Sequence, residues 1–332
     1  MTEKTLRAIV RQAFGGPEQL MIEEVPTPAP STGEILLRVR AFGINRAEQY
    51  FRTGAWGDVH AISGIECVGE VESDPSNQYR RGQKVLALMG GMGRSIPGSY
   101  AEFVCVSSRN VVAITSSLSW PALAALPESY GTAWACLMDN LQLKAAQTLL
   151  IRGATSALGQ AAVNIARVAG ANVFATVRNP DGIERVKAIG ADCGLLESHD
   201  LSQDVRKLVP GGLDAVLDIV GTSTVLDSLR ALKRGGRVCL AGFLGGSVPL
   251  EKLDPLAHLP SGRHLSFFGS AFAFGTPEYP LSDIPFQHIV DHATSGAYKA
   301  APAHVFQFNE IQRAHRMMDD QAARGKMVVV TA

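Results

Sequence analysis

Thr148-Leu-Leu-Ile-Arg-Gly-Ala-Thr-Ser-Ala-Leu-Gly-Gln-Ala-Ala-Val-Asn-Ile-Ala-Arg167 is the stretch that decides the fold class of this chain. Residues 148–152 are mostly apolar and predict a buried strand, a turn of small residues follows, and the apolar spacing of residues 160–169 predicts a helix. This order brings the unpaired N–H groups of a helix N-terminus to the turn. Because those amides and the helix dipole both favour negative charge, the turn is a predicted phosphate-binding site.

The glycine pattern of this turn departs from the usual dinucleotide fingerprint. The positions of G-x-G-x-x-G fall on Ala154, Ser156 and Gly159, so only the glycine that permits close helix-to-strand packing is present. A serine hydroxyl can donate to a phosphate oxygen, but it also adds bulk. The alternative is a plain strand-turn-helix crossover that binds nothing. The residues predicted to contact a dinucleotide here are Gly153, Thr155, Ser156, Ala157 and Leu158.

The next predicted strand ends with Phe174-Ala-Thr-Val-Arg178 and bears on the choice of cofactor. An enzyme that uses NAD carries an acidic residue near this point for the ribose 2′-hydroxyl, whereas Val177 and then Arg178 stand here. A guanidinium binds a 2′-phosphate through charge-assisted hydrogen bonds, so the sequence favours NADPH, with Thr176 as a further contact. The alternative for Arg178 is a solvated surface arginine ahead of a turn.

The pattern on either side of this stretch predicts two kinds of domain. From residue 120 onward strands alternate with helices, which predicts an α/β fold with a doubly wound parallel sheet. The first third shows short β-type runs with little helical periodicity, which predicts a compact, barrel-like β domain. The predicted strands are residues 6–10, 35–41, 68–72, 84–88, 100–106, 148–152, 173–177, 215–219, 237–241, 265–269, 304–308 and 327–331. The predicted helices are residues 120–126, 131–139, 160–169, 183–189, 224–232, 285–294 and 311–321.

The composition excludes several functional classes. The chain has 332 residues, 46% of them hydrophobic, and its Lys plus Arg and Asp plus Glu balance at 31 each, so nucleic acid is not an expected partner. No apolar core of a signal peptide follows the N-terminus, and no run is long enough to span a membrane. The five cysteines have no metal-site spacing and are interpreted as free, mostly buried thiols. We therefore expect a soluble, cytoplasmic protein with no membrane partner and no metal.

Several short stretches taken together resemble the medium-chain dehydrogenase/reductase superfamily. The resemblance implies a GroES-like, mostly-β barrel domain at residues 1–123, completed by residues 277–332, and a Rossmann-type NADPH-binding domain at residues 124–276. It also implies a homodimer, because the strand near residues 267–275 often pairs across a two-fold axis in this superfamily. The stretches are Gly64-Ile-Glu-Cys-Val-Gly-Glu-Val71, Arg81-Gly-Gln-Lys-Val85, Gly98-Ser-Tyr-Ala-Glu-Phe103, Asp218-Ile-Val-Gly221, Gly235-Gly-Arg-Val238 and Gly325-Lys-Met-Val-Val329.

Within that superfamily the chain resembles the zinc-free branch. The zinc alcohol dehydrogenases bind catalytic zinc through Cys, His and Cys, and the matching positions here are Asn45, Ile65 and Glu128. The segment Gly43-Ile-Asn-Arg-Ala-Glu-Gln-Tyr-Phe-Arg-Thr-Gly54 instead resembles the quinone oxidoreductase (zeta-crystallin-like) branch. This resemblance implies that Asn45 and Tyr50 face the nicotinamide during hydride transfer to a small electrophile, a quinone or an activated alkene.

Each implied role has a structural alternative. Tyr50 is predicted to donate a hydrogen bond to the developing enolate oxygen, or to supply the proton that follows. The alternative is that Tyr50 is only an aromatic packing residue. Asn45 is predicted to hydrogen-bond the nicotinamide ribose or carboxamide, and its alternative role is to cap a turn.

Thr132 is predicted to lie beside the nicotinamide phosphate, and its alternative role is to start a helix. Lys326 is predicted to add positive charge near the phosphates, and the alternative is a solvated surface lysine. Backbone contacts to the nicotinamide are predicted for Ala241, Gly242 and Phe243, against a simple glycine turn.

Two rival functions remain open from the sequence. An enoyl-thioester reductase needs a basic patch for a CoA or phosphopantetheine arm, which Arg46, Arg52 and Arg94 could supply. A catalytically silent NADPH-binding protein with a structural or regulatory role is the other. Phe272 and Phe274 are candidates for an apolar substrate pocket or, as we prefer, for core and subunit contacts. His288 and His292 lack the further ligands of a metal site and are interpreted as surface or core residues.

Overall fold

The structure is a computed structural model that describes residues 4–246 and 248–331. The strands in chain order are β1 (Thr5–Arg11), β2 (Leu20–Pro26), β3 (Glu34–Ile44), β4 (Glu66–Ser73), β5 (Lys84–Leu88), β6 (Phe103–Ser107), β7 (Val111–Ala113), β8 (Thr148–Arg152), β9 (Asn172–Val177), β10 (Cys193–Leu196), β11 (Leu213–Asp218), β12 (Leu232–Leu240), β13 (His264–Phe267), β14 (His304–Gln307) and β15 (Met327–Val330). The α-helices are α1 (Arg46–Thr53), α2 (Trp120–Ala124), α3 (Pro127–Trp134), α4 (Ala157–Val168), α5 (Gly182–Ala188), α6 (Leu201–Leu208), α7 (Val225–Ala231), α8 (Pro255–His258), α9 (Ser270–Ala273), α10 (Phe286–Thr294) and α11 (Ile311–Asp319).

The chain divides into two compact units. Unit 1 contains the residues up to Glu128, then Ser270–Gly296 and the residues from Ala300 onward. Unit 2 contains Ser129–Gly269 and the short segment Ala297–Lys299. Each unit therefore combines segments that are distant in sequence, and each is described separately below.

Unit 1 is built on a mixed sheet with the strand order β14-β15-β3-β4-β5-β7, in which β6 also pairs with β3. The strands predicted in the first third are confirmed, as are β14, β15, α10 and α11. Helix α1 corrects the expectation of a nearly helix-free region. Eight residues are too few for a clear periodicity, but the Glu48 carboxylate caps the N-terminus of α1 and Gly54, at φ 79°, ends it.

Unit 2 contains a six-stranded parallel sheet with the order β10-β9-β8-β11-β12-β13. Strand β8 lies in the middle and the chain winds outward from it in both directions, which confirms the doubly wound α/β prediction. Strand β10 and helix α6 were missed by the sequence reasoning. β10 is an edge strand of only four residues, Cys-Gly-Leu-Leu, and so carries neither a long apolar run nor an alternation.

The cysteines are free thiols, as predicted, and Cys67, Cys136 and Cys239 are buried. Burial raises the pKa of the Cys67 thiol far above its ordinary value, so this residue behaves as a small apolar side chain. Cys105 and Cys193 are half-buried. In the described ranges, no helix combines the length and the apolar character that crossing a lipid bilayer requires.

A buried polar cluster joins α1 and α11 in unit 1. Arg52 is only 1% exposed; it binds Asp319 through two bonds of 2.6 and 2.7 Å and donates from Nε to Nδ1 of His315 at 3.2 Å. Nε2 of His315 lies 3.0 Å from the hydroxyl of Tyr100. Because a guanidinium only donates, Nδ1 accepts and the neutral ring carries its proton on Nε2. Burial, with a contribution from Arg52, lowers the pKa of His315 to about 3.

We predict that this histidine makes the fold acid-sensitive. Between pH 6.5, the ordinary pKa, and about 3 the unfolded chain binds a proton at this position that the folded chain does not. The free energy of unfolding should therefore fall as the pH falls through this window, with a slope approaching about 1.4 kcal/mol per pH unit from this group. Urea unfolding at a series of pH values, compared with His315→Gln, measures the slope. Identical pH dependence in the two proteins would contradict the prediction.

Candidate functional site

The turn after β8 brings helix α4 close against the strand. Gly153 has a φ of 82°, a conformation that favours glycine. A Cβ on Gly159 would stand 2.5 Å from the Gly153 carbonyl oxygen and 2.6 Å from Ala154 Cα. Gly159 is the one fingerprint glycine that the sequence retains, and it permits the close packing of helix on strand that was predicted for it.

Ser156 is the N-cap of α4. Its Oγ accepts from the Gly159 N–H at 3.0 Å and donates to the Gly153 carbonyl at 2.8 Å. The hydroxyl proton of Ser156 is therefore used within the turn. A contact between Ser156 and a phosphate stays a prediction, and it would be made by the backbone N–H. The amides of Ala157 and Leu158 lie in the first helical turn, where a helix offers no internal acceptors. These positions are compatible with the predicted anion site, and anion binding at the turn stays a prediction.

Thr176, at the end of β9, connects the turn to a buried ion network. Its Oγ1 accepts from the Gly153 N–H at 3.1 Å and donates to Glu197 at 2.8 Å. The Glu197 carboxylate is paired with the fully buried Arg152, which also binds Asp227 at 2.9 Å. Sequence reasoning missed this network. The signal was an arginine at the end of an apolar strand and a glutamate that directly follows Gly194-Leu-Leu.

Arg178 directly follows β9 and is exposed. The residues after it form the predicted turn, and α5 starts at Gly182. Both alternatives for Arg178, a 2′-phosphate ligand and a surface arginine, are compatible with this placement. The neighbouring carboxylate of Glu197 is paired with Arg152 and accepts from Thr176, so its oxygens are engaged within the protein.

The predicted loop Ala241–Phe243 lies against the end of β11. Ala241 N–H donates to the Asp218 carbonyl at 2.9 Å, and a Cβ on Gly242 would stand 2.8 Å from Ile219 Cγ2. This loop follows the C-terminal end of β12, the edge where parallel sheets bind ligands. Thr132 is buried inside α3, so it does not start a helix as its alternative role assumed.

Asn45 has a fully defined setting in unit 1. Its Nδ2 donates to Glu66 Oε1 at 2.8 Å and its Oδ1 accepts from Lys326 Nζ at 2.5 Å. Lys326 Nζ also forms an ion pair with Glu66. Asn45 is also the N-cap of α1 and forms a capping box with Glu48, so the capping role that was its alternative is present beside the bonds to Glu66 and Lys326. Since the ammonium is engaged here, a contact of Lys326 with cofactor phosphates remains only a prediction.

Glu48 is a second buried carboxylate beside Asn45. It accepts from the backbone N–H of Asn45 at 2.7 Å and of Ile65 at 3.1 Å. Burial raises the pKa of Glu48 to about 8, against the lowering effect of Lys326. The sequence reasoning did not identify Glu48; the capping-box spacing from Asn45 was the available signal.

Tyr50 is half-buried on α1. Its ring stacks on Trp56 with centroids 5.4 Å apart and planes 25° apart, so the packing role that was its alternative is present. The catalytic role concerns the hydroxyl group and is compatible with this packing. Trp56 is 42% exposed and was not identified from the sequence.

The arginines proposed for a thioester arm are largely engaged within the protein. Arg52 is buried in the Asp319 and His315 cluster, which corrects its assignment to a surface patch. Arg94 donates to the Ala271 carbonyl at 2.8 Å and lies over the ring of Phe272. Phe272 is 67% exposed whereas Phe274 is buried.

The rings of His288 and His292 contact each other on α10. Across the described residues, no group of three or more His, Cys, Asp or Glu is arranged to hold a metal ion.

Two family models match the chain. Residues 31–116 match the alcohol dehydrogenase GroES-like domain, and residues 157–285 match the zinc-binding dehydrogenase model. Quinone oxidoreductase of Rattus norvegicus is 29% identical over 276 residues, which cover 81% of this chain and 82% of the rat protein. These matches follow the order of the two predicted domains and confirm the GroES-like and Rossmann-type assignment.

Solved structures extend the likeness to nearly the whole chain. A mycobacterial protein complexed with NADPH is 25% identical with a TM-score of 0.84, over 98% of this chain and 100% of that chain. An NAD-dependent alcohol dehydrogenase is also 25% identical with a TM-score of 0.83, over 98% of this chain and 100% of that chain. The fold is thus that of a nicotinamide-dinucleotide-binding oxidoreductase. On these grounds the chain belongs to the medium-chain dehydrogenase/reductase superfamily, in its quinone oxidoreductase branch.

Proposed function

We propose that this chain is an NADPH-dependent reductase of small electrophiles, namely quinones or α,β-unsaturated carbonyl compounds. The observation that carries the proposal is the amide of Asn45, which is fixed between Glu66 and Lys326 at the position where the zinc enzymes place a cysteine ligand. A neutral amide is a hydrogen-bond donor and acceptor for a nicotinamide or its ribose, and it is a poor ligand for zinc.

The choice of NADPH is supported by the charges at the end of β9. Arg178 is exposed there, Val177 occupies the usual acidic position, and the nearby Glu197 is paired with Arg152. A doubly charged 2′-phosphate therefore meets a cation instead of a free carboxylate. The residues that would hold the cofactor are the turn from Gly153 to Leu158, Arg178, Thr132 and the loop Ala241–Phe243.

The chain's own residues have orienting and electrostatic roles in this proposal. When bound, the reduced nicotinamide supplies the hydride. Asn45 orients the ring through its remaining N–H. The Tyr50 hydroxyl would donate to the substrate oxygen on which negative charge develops, or would give the proton that completes reduction of an enone. The stacked Trp56 holds the phenol ring in position.

An enoyl-thioester reductase is the second enzyme considered. It requires accessible cations for a phosphate-bearing arm, and of its three candidate arginines Arg52 is buried and Arg94 is engaged by Ala271 and Phe272. These placements favour the quinone and enone function. A panel of quinones, enones and CoA thioesters, followed at the NADPH absorbance, separates the functions. Turnover of thioesters alone would favour the second enzyme, and NADPH binding without any turnover would favour a silent binding protein.

We also propose a homodimer that forms through β13. This strand is an edge of the sheet in unit 2, and its side chains Leu265 and Phe267 are 45% and 55% exposed. An exposed edge with apolar side chains is a ready site for pairing with a second copy.

We predict that Arg178→Ala raises the KM for NADPH by about tenfold to a hundredfold, because a charge-assisted contact is worth roughly 1.5–3 kcal/mol. The KM for NADH should change little, so the preference for NADPH over NADH should become smaller. Arg178→Asp should reverse the preference in favour of NADH. Steady-state kinetics with both cofactors measure the effect, and Arg316→Ala, which removes another exposed arginine, is the control. An unchanged cofactor preference in Arg178→Asp would refute the role.

For Tyr50→Phe we expect kcat with an enone to fall by about tenfold or more, because the donor to the developing oxyanion is lost. Stacking on Trp56 is retained, so NADPH affinity and thermal stability should stay close to those of the parent protein. Tyr79→Phe is the matched control, since its hydroxyl bonds to the Val111 carbonyl away from Tyr50. A Tyr50→Phe enzyme with full activity would leave only the packing role.

Introducing a charge on the exposed edge should abolish the dimer. Phe267→Asp is expected to elute as a monomer in light scattering coupled to size exclusion, because a desolvated carboxylate opposes pairing of the two edges. Leu208→Asp changes an equally exposed leucine on α6 and should leave the mass unchanged. If the parent protein is already a monomer at micromolar concentration, the dimer proposal is wrong.

A further inference from the structure

Three polar side chains of unit 1 form a closed triangle. Lys326 Nζ bonds to both Glu66 Oε1 and Asn45 Oδ1, and Asn45 Nδ2 bonds to Glu66 Oε1. Glu66 is fully buried and Lys326 is 6% exposed. The three residues come from the start of β4, the residue before β15 and the N-cap of α1. The core of this unit therefore holds a buried ion pair directly against the amide of Asn45.

The surrounding structure keeps this triangle in place. Any side chain at Gly43 would collide with Glu66 and Lys326, so the glycine leaves room for the ion pair. The second carboxylate oxygen of Glu66 accepts from the Glu128 N–H at 2.7 Å, and its backbone carbonyl accepts from the Ser99 hydroxyl at 2.6 Å. Glu66 thus has partners on each side, and its carboxylate has little freedom to rotate.

Stability alone is a weak reason for such a pair. Removing two charges from water costs several kcal/mol per ion, and well-packed apolar residues in their place are often as stable or more so. A buried ion pair next to a functional amide has another consequence, because it distinguishes the two ends of that amide. The oxygen must face the ammonium and the nitrogen must face the carboxylate, since the flipped amide places like partners together.

We infer that Lys326 and Glu66 are positioning residues that hold the amide of Asn45 in one orientation, with a single Nδ2–H directed away from Glu66 toward a ligand. This inference rests on the proposed function, in which Asn45 contacts the cofactor. In this inference Lys326 acts indirectly, by orienting Asn45, and does not contact a phosphate of the cofactor. Loss of Lys326 removes the donor to Oδ1 and leaves Glu66 as a buried carboxylate without its ammonium partner. The amide is then held only by Glu66, so the donor is correctly oriented less of the time.

A double-mutant cycle tests this coupling. Lys326→Met and Asn45→Ala should each weaken NADPH binding, measured by cofactor fluorescence, and each lower kcat/KM by about tenfold. In the Asn45→Ala background, Lys326→Met should add less than about a twofold further loss. Lys207→Met removes an exposed lysine paired with Asp204 and is the matched control, expected to retain full activity. Additive losses in the double variant would overturn the inference, because Lys326 would then act independently of Asn45.

A spectroscopic measurement makes the test independent of activity. In protein labelled with 15N-asparagine, the side-chain signals of Asn45 are those that disappear in Asn45→Ala. They should shift and broaden in Lys326→Met, and unchanged signals would overturn the inference. If Lys326→Met does not fold, Glu66→Gln combined with Lys326→Met removes both charges and takes its place. In the parent protein, one Nδ2 proton of Asn45 should exchange with solvent more slowly than the other, and equal fast exchange would contradict the positioning role.

The two proposals fail in different ways. A parent protein that neither binds nor oxidises NADPH contradicts the proposed function, while the Asn45 signals still decide whether Lys326 and Glu66 orient the amide. A parent protein that is active with NADPH but shows no coupling between Asn45 and Lys326 contradicts the inference alone.

Discussion

The approach of α4 to β8 at Gly159 is the constraint on which the dinucleotide-binding unit depends. A side chain at this position would overlap the backbone of Gly153 and Ala154, and the helix would have to move away from the strand. The N-terminal amides of α4 would then no longer lie at the carboxyl end of the sheet, where the predicted phosphate would meet both the amides and the helix dipole. This one glycine matters more than the two that the fingerprint lacks, because Ser156 closes the turn with its own hydrogen bonds.

Both units use a buried cation and carboxylate pair to orient a neutral group. In unit 2, Arg152 holds Glu197, which accepts from Thr176, which in turn accepts from the Gly153 N–H at the turn. In unit 1, Lys326 and Glu66 hold the amide of Asn45. In a low-dielectric interior such charge-assisted bonds are strong and directional, and leaving one partner unpaired is costly. These networks are therefore suited to fixing the orientation of a donor or a turn, and apolar packing offers no equivalent.

Much of the fold could be predicted because its signals are local. The strand and helix around Gly159 follow from apolar spacing, and β1, β3, β4, β5 and β6 follow from β-type runs between turns, whereas β2 and β7 were not predicted. Helix α1 and strand β10 escaped because they are short and their stability comes from neighbours: a Glu48 cap in one case, pairing with β9 in the other. Asn45, Tyr50 and Arg178 were identified as candidates from the sequence. Glu48, Glu197 and the burial of Arg52 were not identified from the sequence. A charged residue is expected at the surface unless its buried partner is known.

The sequence by itself determined the order of the two kinds of fold, the parallel sheet, the strand, turn and helix around Gly159, and the absence of the usual zinc ligands at Asn45, Ile65 and Glu128. All of these depend on residue type and on spacing along the chain. Only the tertiary structure decided what the charged residues do. Lys326 meets Asn45 across 281 positions and Arg52 meets Asp319 across 267, and such pairs form only when β15 and α11 pack against the beginning of the chain. Their energies depend on burial, which no local pattern specifies.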